Sequence, residues 1–148
     1  MATRSGKRRT TKSVKAGSTG TKPRTQLQPR AAKKFLDAYK EAWETRNVEL
    51  AASLFTRDAH YWENPFGEPL VGREAIAAYW KTATDTQEDL HFAVRNSTRA
   101  GYTLIAEWAC TYTHRPSGER RELAGMLFAD FYGPQVRTFR EYWHRRVL

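Results

Sequence analysis

The chain has 148 residues, with 25 Lys and Arg against 16 Asp and Glu, a formal charge of +9 and one cysteine. This length suits a single domain that buries roughly two-thirds of its unfolded surface, and a lone cysteine excludes an intrachain disulfide and points to a reducing compartment. No apolar run approaches the ~18 residues of a membrane span and the N-terminus lacks the apolar middle of a secretory signal, so a soluble, cytoplasmic protein without a membrane partner is expected.

The charge is unevenly spread. Residues 1–30 hold nine Lys or Arg and no acid, leaving sixteen bases against all sixteen acids over residues 31–148. A segment of Thr, Ser, Gly, Lys and Arg buries too little to offset its ordering entropy, so residues 1–30 are expected to be a disordered basic tail and residues 31–148 the folded domain. Two readings of the tail stay open. It is a solvated, solubilising segment, or an arm making nonspecific contact with nucleic acid phosphates.

Helical periodicity begins at Ala31: Phe35, Leu36, Tyr39, Ala42 and Trp43 recur three and four residues apart, with Lys33, Asp37, Lys40 and Glu44 on the other side. Asn47 is placed to cap a second helix over Val48 to Phe55, and a third follows Gly72 with Ile76, Tyr79 and Trp80 at helical spacing. "DAHYWENPFGEPLVG" lies between them, a strand running into a turn rich in Pro and Gly. After about residue 88 the period becomes two. Leu90, Phe92 and Val94 share one face, Arg99-Ala100-Gly101 closes a turn, and Tyr102 to His114 places Leu104, Ala106, Trp108, Cys110 and Tyr112 together. Asn96-Ser97-Thr98, a glycosylation sequon by pattern, reads as a turn. "RPSGE" is the next turn, Leu123 to Phe131 is apolar on both faces, and Val136 to Arg146 closes the chain. Helices followed by an antiparallel meander predict an α+β fold with helices on one face of a curved sheet.

This order of elements, with "DAHYWENPFGEPLVGREAI" and "FADFYGPQVRTFREYW", resembles the nuclear transport factor 2-like superfamily, specifically its SnoaL-like bacterial branch, over residues 31–148. The resemblance implies a cone-shaped α+β barrel of three N-terminal helices on a strongly curved, mostly antiparallel sheet, with an internal pocket open at one end and pairing into a homodimer. Members include ketosteroid isomerases, polyketide cyclases, dehydratases and epoxide hydrolases, so the fold leaves the reaction open. By position the isomerases' oxyanion-binding phenol falls on Tyr39. Their general-base aspartate, immediately before the strand-ending proline, falls on Asn64, and their protonated acid falls near Leu127. An amide takes no proton at neutral pH and a leucine neither donates nor titrates, so dienolate chemistry by these residues is not expected; loss of a general base alone forfeits ~10² to 10⁴ in rate.

With Asn64 turned inward, alternation carries Trp62 and His60 inward and Glu63 outward; a bulge near Pro65 would exchange the two sets. On the first phase His60 is the remaining candidate base, since imidazole titrates near neutrality. The catalytic candidates are therefore His60, Tyr39 and Asn64, and Trp43, Trp62, Phe66, Trp80, Trp108 and Leu127 form the candidate ligand-binding wall. Glu141 matches a glutamate that relatives carry before the final aromatic pair. Four scattered histidines and one cysteine predict no metal site, and no motif calls for a cofactor. Three functions remain open: a pocket for a compact, largely apolar organic ligand; a cofactor-independent cyclase, dehydratase or isomerase with His60 as base; and a dimerisation module presenting basic tails to nucleic acid.

Overall fold

The structure is a computed structural model that describes residues 26–148. The basic tail proposed for residues 1–30 lies almost wholly outside the described residues. Leu27 is already buried, its N–H donates to the Gly101 carbonyl at 2.9 Å and its own carbonyl accepts from Arg99 at 2.8 Å. The chain is thus tied to the sheet just before the first helix.

Helix α1 spans Pro29–Glu44, and the stripe read from the sequence, Phe35, Leu36, Tyr39, Ala42 and Trp43, is its buried face. It ends in paired reverse bonds, Arg46 N–H to the Trp43 carbonyl and Asn47 N–H to the Ala42 carbonyl, with Arg46 in the left-handed region at φ 55°. Asn47 then opens α2, Val48–Ser53, its side chain accepting the Leu50 N–H at 2.9 Å. This helix is shorter than expected, because Phe55 turns its fully buried ring into the core as the first residue of strand β1, Phe55–Trp62. A short strand β2, Leu70–Val71, pairs back on β1, and Gly72 at φ 87° leads into α3, Arg73–Asp85. The Arg73 guanidinium donates twice to the Phe55 carbonyl, fixing α3 to the start of β1.

Four long strands follow: β3 Gln87–Ala100, β4 Thr103–His114, β5 Glu119–Tyr132 and β6 Gln135–Val147. The expected turn at Asn96-Ser97-Thr98 is instead part of β3, which runs on to Ala100. The six strands form one sheet in the order β2-β1-β6-β5-β4-β3, antiparallel except where β1 runs parallel to β6. Register shifts interrupt β1 against β6, β3 against β4 at two places, and β5 against β6. Such irregularities bend strands and increase twist, and here they accompany a sheet that curls around α1 and α3. The edges β2 and β3 do not pair with each other, so the expected cone of helices on a strongly curved, mostly antiparallel sheet is an open curl.

Aromatic rings fill the concave side. Phe35 reaches Phe131 and Phe139, Tyr39 reaches Trp80, Phe92 and Phe139, and Trp43 reaches Trp108, all with ring centroids between 5.2 and 6.4 Å apart. Helix α1 therefore lies across the sheet from β6 to β3. Two buried indole N–H groups, of Trp80 and Trp108, have no conventional acceptor. Their rings stand at 89° to Tyr39 and 66° to Trp43, the edge-on arrangement in which an N–H can face a ring.

Gly125 on β5 faces Trp143 on β6. A Cβ at Gly125 would lie 2.7 Å from the Trp143 Cβ and would also meet the Tyr142 carbonyl, so only glycine lets the two strands approach this closely here. Gly125→Ala should destabilise the domain by about 1–3 kcal/mol, the range for overpacking, and alter the Trp143 environment. Denaturant unfolding and tryptophan emission measure both.

Candidate active site

The concave face does not fill completely. A cavity of about 200 Å³ remains between the helices and the sheet. Tyr39 and Trp43 of α1, Tyr79 and Trp80 of α3, Tyr61 of β1, Trp108 and Tyr112 of β4 and Trp143 of β6 supply its rings; Glu63 and Glu141 supply its carboxylates, and Arg145 is the lining cation. Trp43 is held in orientation by donating its indole N–H to Gln87 Oε1 at 2.8 Å. Trp143, 37% exposed, stands with exposed Glu63 and Arg145 on the solvent side.

The floor is Glu141, only 4% exposed. Tyr39 donates its hydroxyl to Glu141 Oε1 at 2.7 Å and Tyr61 donates to Oε2 at 2.8 Å, so one carboxylate joins α1, β1 and β6. Burial raises the Glu141 pKa, the two phenols lower it and the Glu63 charge raises it, for a result of about 7. The sense follows from magnitude: hydrogen bonds to a charged group contribute ~1.5–3 kcal/mol each, whereas removing an ion from water costs several kcal/mol. Burial, then the Glu141 charge, hold the Tyr39 and Tyr61 hydroxyls far above the usual phenol range, and Tyr79 is raised by burial, Glu141 and Glu63. The phenols are therefore fixed donors, and Glu141 is the inner group able to exchange a proton near neutral pH.

The structure brings together Tyr39, Trp43, Trp80 and Trp108 of the residues expected from sequence. It turns the β1 assignment over. Beyond the register shift that separates Phe55 from His60, Ala59 and Tyr61 are buried and Glu63 lines the cavity, so from Ala59 on the odd-numbered side chains point inward. His60 is exposed, lies between Val71 and Thr138 in the sheet, and packs its ring on half-buried Trp62 at 5.9 Å. Asn64 is exposed, and its Oδ1 accepts the Phe66 N–H at 2.9 Å in an Asx turn that leaves Phe66 97% exposed. His60, Asn64, Trp62 and Phe66 thus stand outside the cavity. The physical reason is strand phase: burying Ala59 and Tyr61 sets the parity of the second half of the strand, and that parity selects Glu63 over Asn64. Leu127 is fully buried and opposite Glu141 in the sheet, but it belongs to the packed core and does not line the cavity.

Sequence reasoning matches Glu141 to a glutamate of relatives but gives it no role, and it does not place Tyr61. The signal was available in β6, where Phe139, Glu141 and Trp143 alternate on one face, an acid embedded in an inward apolar series. Cys110 is core, its thiol pushed up to about 12 by burial and so unreactive as a nucleophile. Among the described residues no three His, Cys, Asp or Glu converge as metal ligands.

The fold is thus an open, curled α+β cone whose helices lie over an aromatic-lined cavity with a buried carboxylate. The chain belongs to the SnoaL-like domain family, whose sequence pattern matches residues 36–138, and its fold is that of the nuclear transport factor 2-like superfamily. Similar solved structures include a Catenulispora acidiphila protein of ketosteroid isomerase-like fold in complex with trimethylamine, at 19% identity and TM-score 0.68, covering 78% of this chain and 86% of that one. A Mycobacterium tuberculosis LEH-like epoxide hydrolase aligns at 13% identity and TM-score 0.65, covering 78% and 84%. The epoxide hydrolase/cyclase-like enzyme SalBIII, of pyran ring formation in salinomycin, aligns at 14% identity and TM-score 0.71, covering 80% and 97%. At these identities the likeness is one of fold. No curated protein matches the chain.

The raised Glu141 pKa carries a stability consequence. Between the ordinary value of 4.5 and about 7 the folded state holds a proton that the unfolded state has released, so the contribution of Glu141 to stability is fully present below 4.5, falls as pH rises through this window and is level above it. The loss attributable to this group is about 3 kcal/mol. Glu141→Gln should flatten that part of the profile in urea unfolding from pH 4.5 to 8.

Proposed function

We propose that the cavity binds one compact, largely apolar organic molecule and presents its functional group to Glu141, with Tyr39 and Tyr61 orienting the carboxylate. The observation that carries this reading is the combination of a cavity of about 200 Å³ with a buried, neutral-range acid at its floor. An engineered cavity of about 150 Å³ accommodates benzene, so the size suits a single substituted ring or an equally small skeleton. The trimethylamine held by the Catenulispora protein is also within that size. A closed four-ring skeleton exceeds it.

A second reading is favoured by the same carboxylate. Glu141 has the proton affinity a general acid or base needs at neutral pH, which supports a cofactor-independent proton-transfer enzyme in which Glu141 takes the part expected of His60. Epoxide opening and cyclisation, the chemistry named for two proteins of like fold, belong to this class. On the convex face, Met126 and Tyr142 are exposed beside Phe128 and Arg140 around a shallow hollow. This surface is where a second copy would pack in the proposed homodimer. A nucleic acid role rests on the basic tail alone.

Thermal shift with a panel of one-ring ketones, lactones, epoxides and amines tests the pocket. At least one compound should raise Tm in the wild type, and Trp108→Ala should abolish the gain, because binding adds RT ln(1 + [L]/Kd) to stability. If the panel yields turnover, the rate should change with a midpoint near pH 7 and fall ~10² to 10⁴ in Glu141→Gln, while His60→Ala leaves it unchanged. A flat response from every compound contradicts the pocket.

A further inference from the structure

The composition of the cavity wall is lopsided in charge as well as rich in rings. Four indoles, of Trp43, Trp80, Trp108 and Trp143, and four phenols, of Tyr39, Tyr61, Tyr79 and Tyr112, surround two glutamates. Ring faces carry negative electrostatic potential and attract cations, most strongly for Trp, and boxes of such rings recognise alkylated ammonium groups. The carboxylates act in the same direction. Glu141 lies at the floor, Glu63 is exposed, and the Glu63 charge disfavours ionisation of Glu141. Opposing them is Arg145, itself exposed, and among the described residues no Lys or His lines the cavity.

We infer that the occupant of this cavity is a small organic cation, an alkylated ammonium whose methyl or methylene groups pack on the rings while its charge faces Glu141 and Glu63. The inference rests on the pocket reading and narrows it to a ligand class. Each alternative meets a specific obstacle. An anion would enter a space already lined by two acids. A neutral molecule would fill the volume but offer no counter-charge to an ionised Glu141. The cation supplies that counter-charge, and its alkyl surface packs against a wall made mostly of rings. Glu141 retains capacity for it, since a carboxylate has about four acceptor sites and the Tyr39 and Tyr61 hydroxyls occupy one on each oxygen.

The ionisable groups that share the cavity wall with Glu141 are Tyr39 from α1, Tyr61 from β1 and Glu63 just after it, Tyr79 from α3, Tyr112 from β4 and Arg145 further along β6. Tyr39, Tyr61 and Tyr79 keep their protons, so the charge presented to a ligand varies with Glu141. A permanently charged ammonium should therefore bind better as Glu141 ionises, by about tenfold from pH 6 to pH 8 for a midpoint near 7.

The test pairs choline and tetramethylammonium with 3,3-dimethylbutan-1-ol, the uncharged carbon analogue of choline, using calorimetry and thermal shift on the full chain. The expected result is at least tenfold tighter binding of the cations, strengthening from pH 6 to 8, and a loss of tenfold or more in Glu141→Gln. Glu63→Gln, at an exposed position, should weaken the cations severalfold and provides an independent check if Glu141→Gln does not fold. Equal affinity for choline and its carbon analogue, or binding of neutral rings without binding of the cations, overturns the cation assignment and leaves the pocket standing. Absence of binding by cations and neutral rings alike overturns both.

Discussion

The arrangement of this protein depends on one carboxylate kept out of water. Glu141 sits on the inner face of β6 with each oxygen accepting a phenolic hydroxyl, Tyr39 from α1 and Tyr61 from β1. These three elements are far apart in sequence, so the two bonds tie the helix and two strands at the base of the cone. Burying the acid is costly, and two hydrogen bonds offset only part of the cost. The remainder appears as a proton held near neutrality. A structural acid with this property can also act in chemistry, which links the energetics of the fold to the use of its cavity.

The aromatic residues set the environment in which that acid works. Tyr39 touches Trp43, Trp80, Phe92 and Phe139, so its hydroxyl position follows from the packing of rings on all sides. Tyr61 is held between Phe55, Tyr79 and Phe139. Neither phenol can move without displacing large neighbours, and dense interiors resist such displacement. The donors are preorganised toward Glu141. Recognition is thus expected to come from alkyl surface against rings and charge against Glu141, with little adjustment of the wall.

Much of the fold was legible because period and parity are local. The stripe from Phe35 to Trp43, the Asn47 cap, and the alternation from Leu104 to Tyr112 all correspond to buried faces or bonds in the structure. The site was legible in its helical half, where Tyr39, Trp43 and Trp80 follow from helical spacing. It was not legible on β1. There, the positional likeness of Asn64 to a catalytic aspartate imposed an even phase, whereas the tertiary burial of Ala59 and Tyr61 imposes an odd one. Glu141 is matched to a glutamate of relatives but given no role from sequence, since a lone acid in a strand does not by itself declare which face it takes. What makes it interior is the convergence of Tyr39 and Tyr61, residues more than 75 positions away, and no local pattern encodes that convergence.

The state of Glu141 can be observed directly. With ¹³C-labelled glutamate side chains, carboxyl chemical shifts followed from pH 3 to 9 should reveal one resonance that titrates with a midpoint near 7 and is missing from Glu141→Gln. Titration of every glutamate below about pH 5 would contradict the account, since Glu141 would then be a fully charged structural anchor with no proton to exchange at neutral pH.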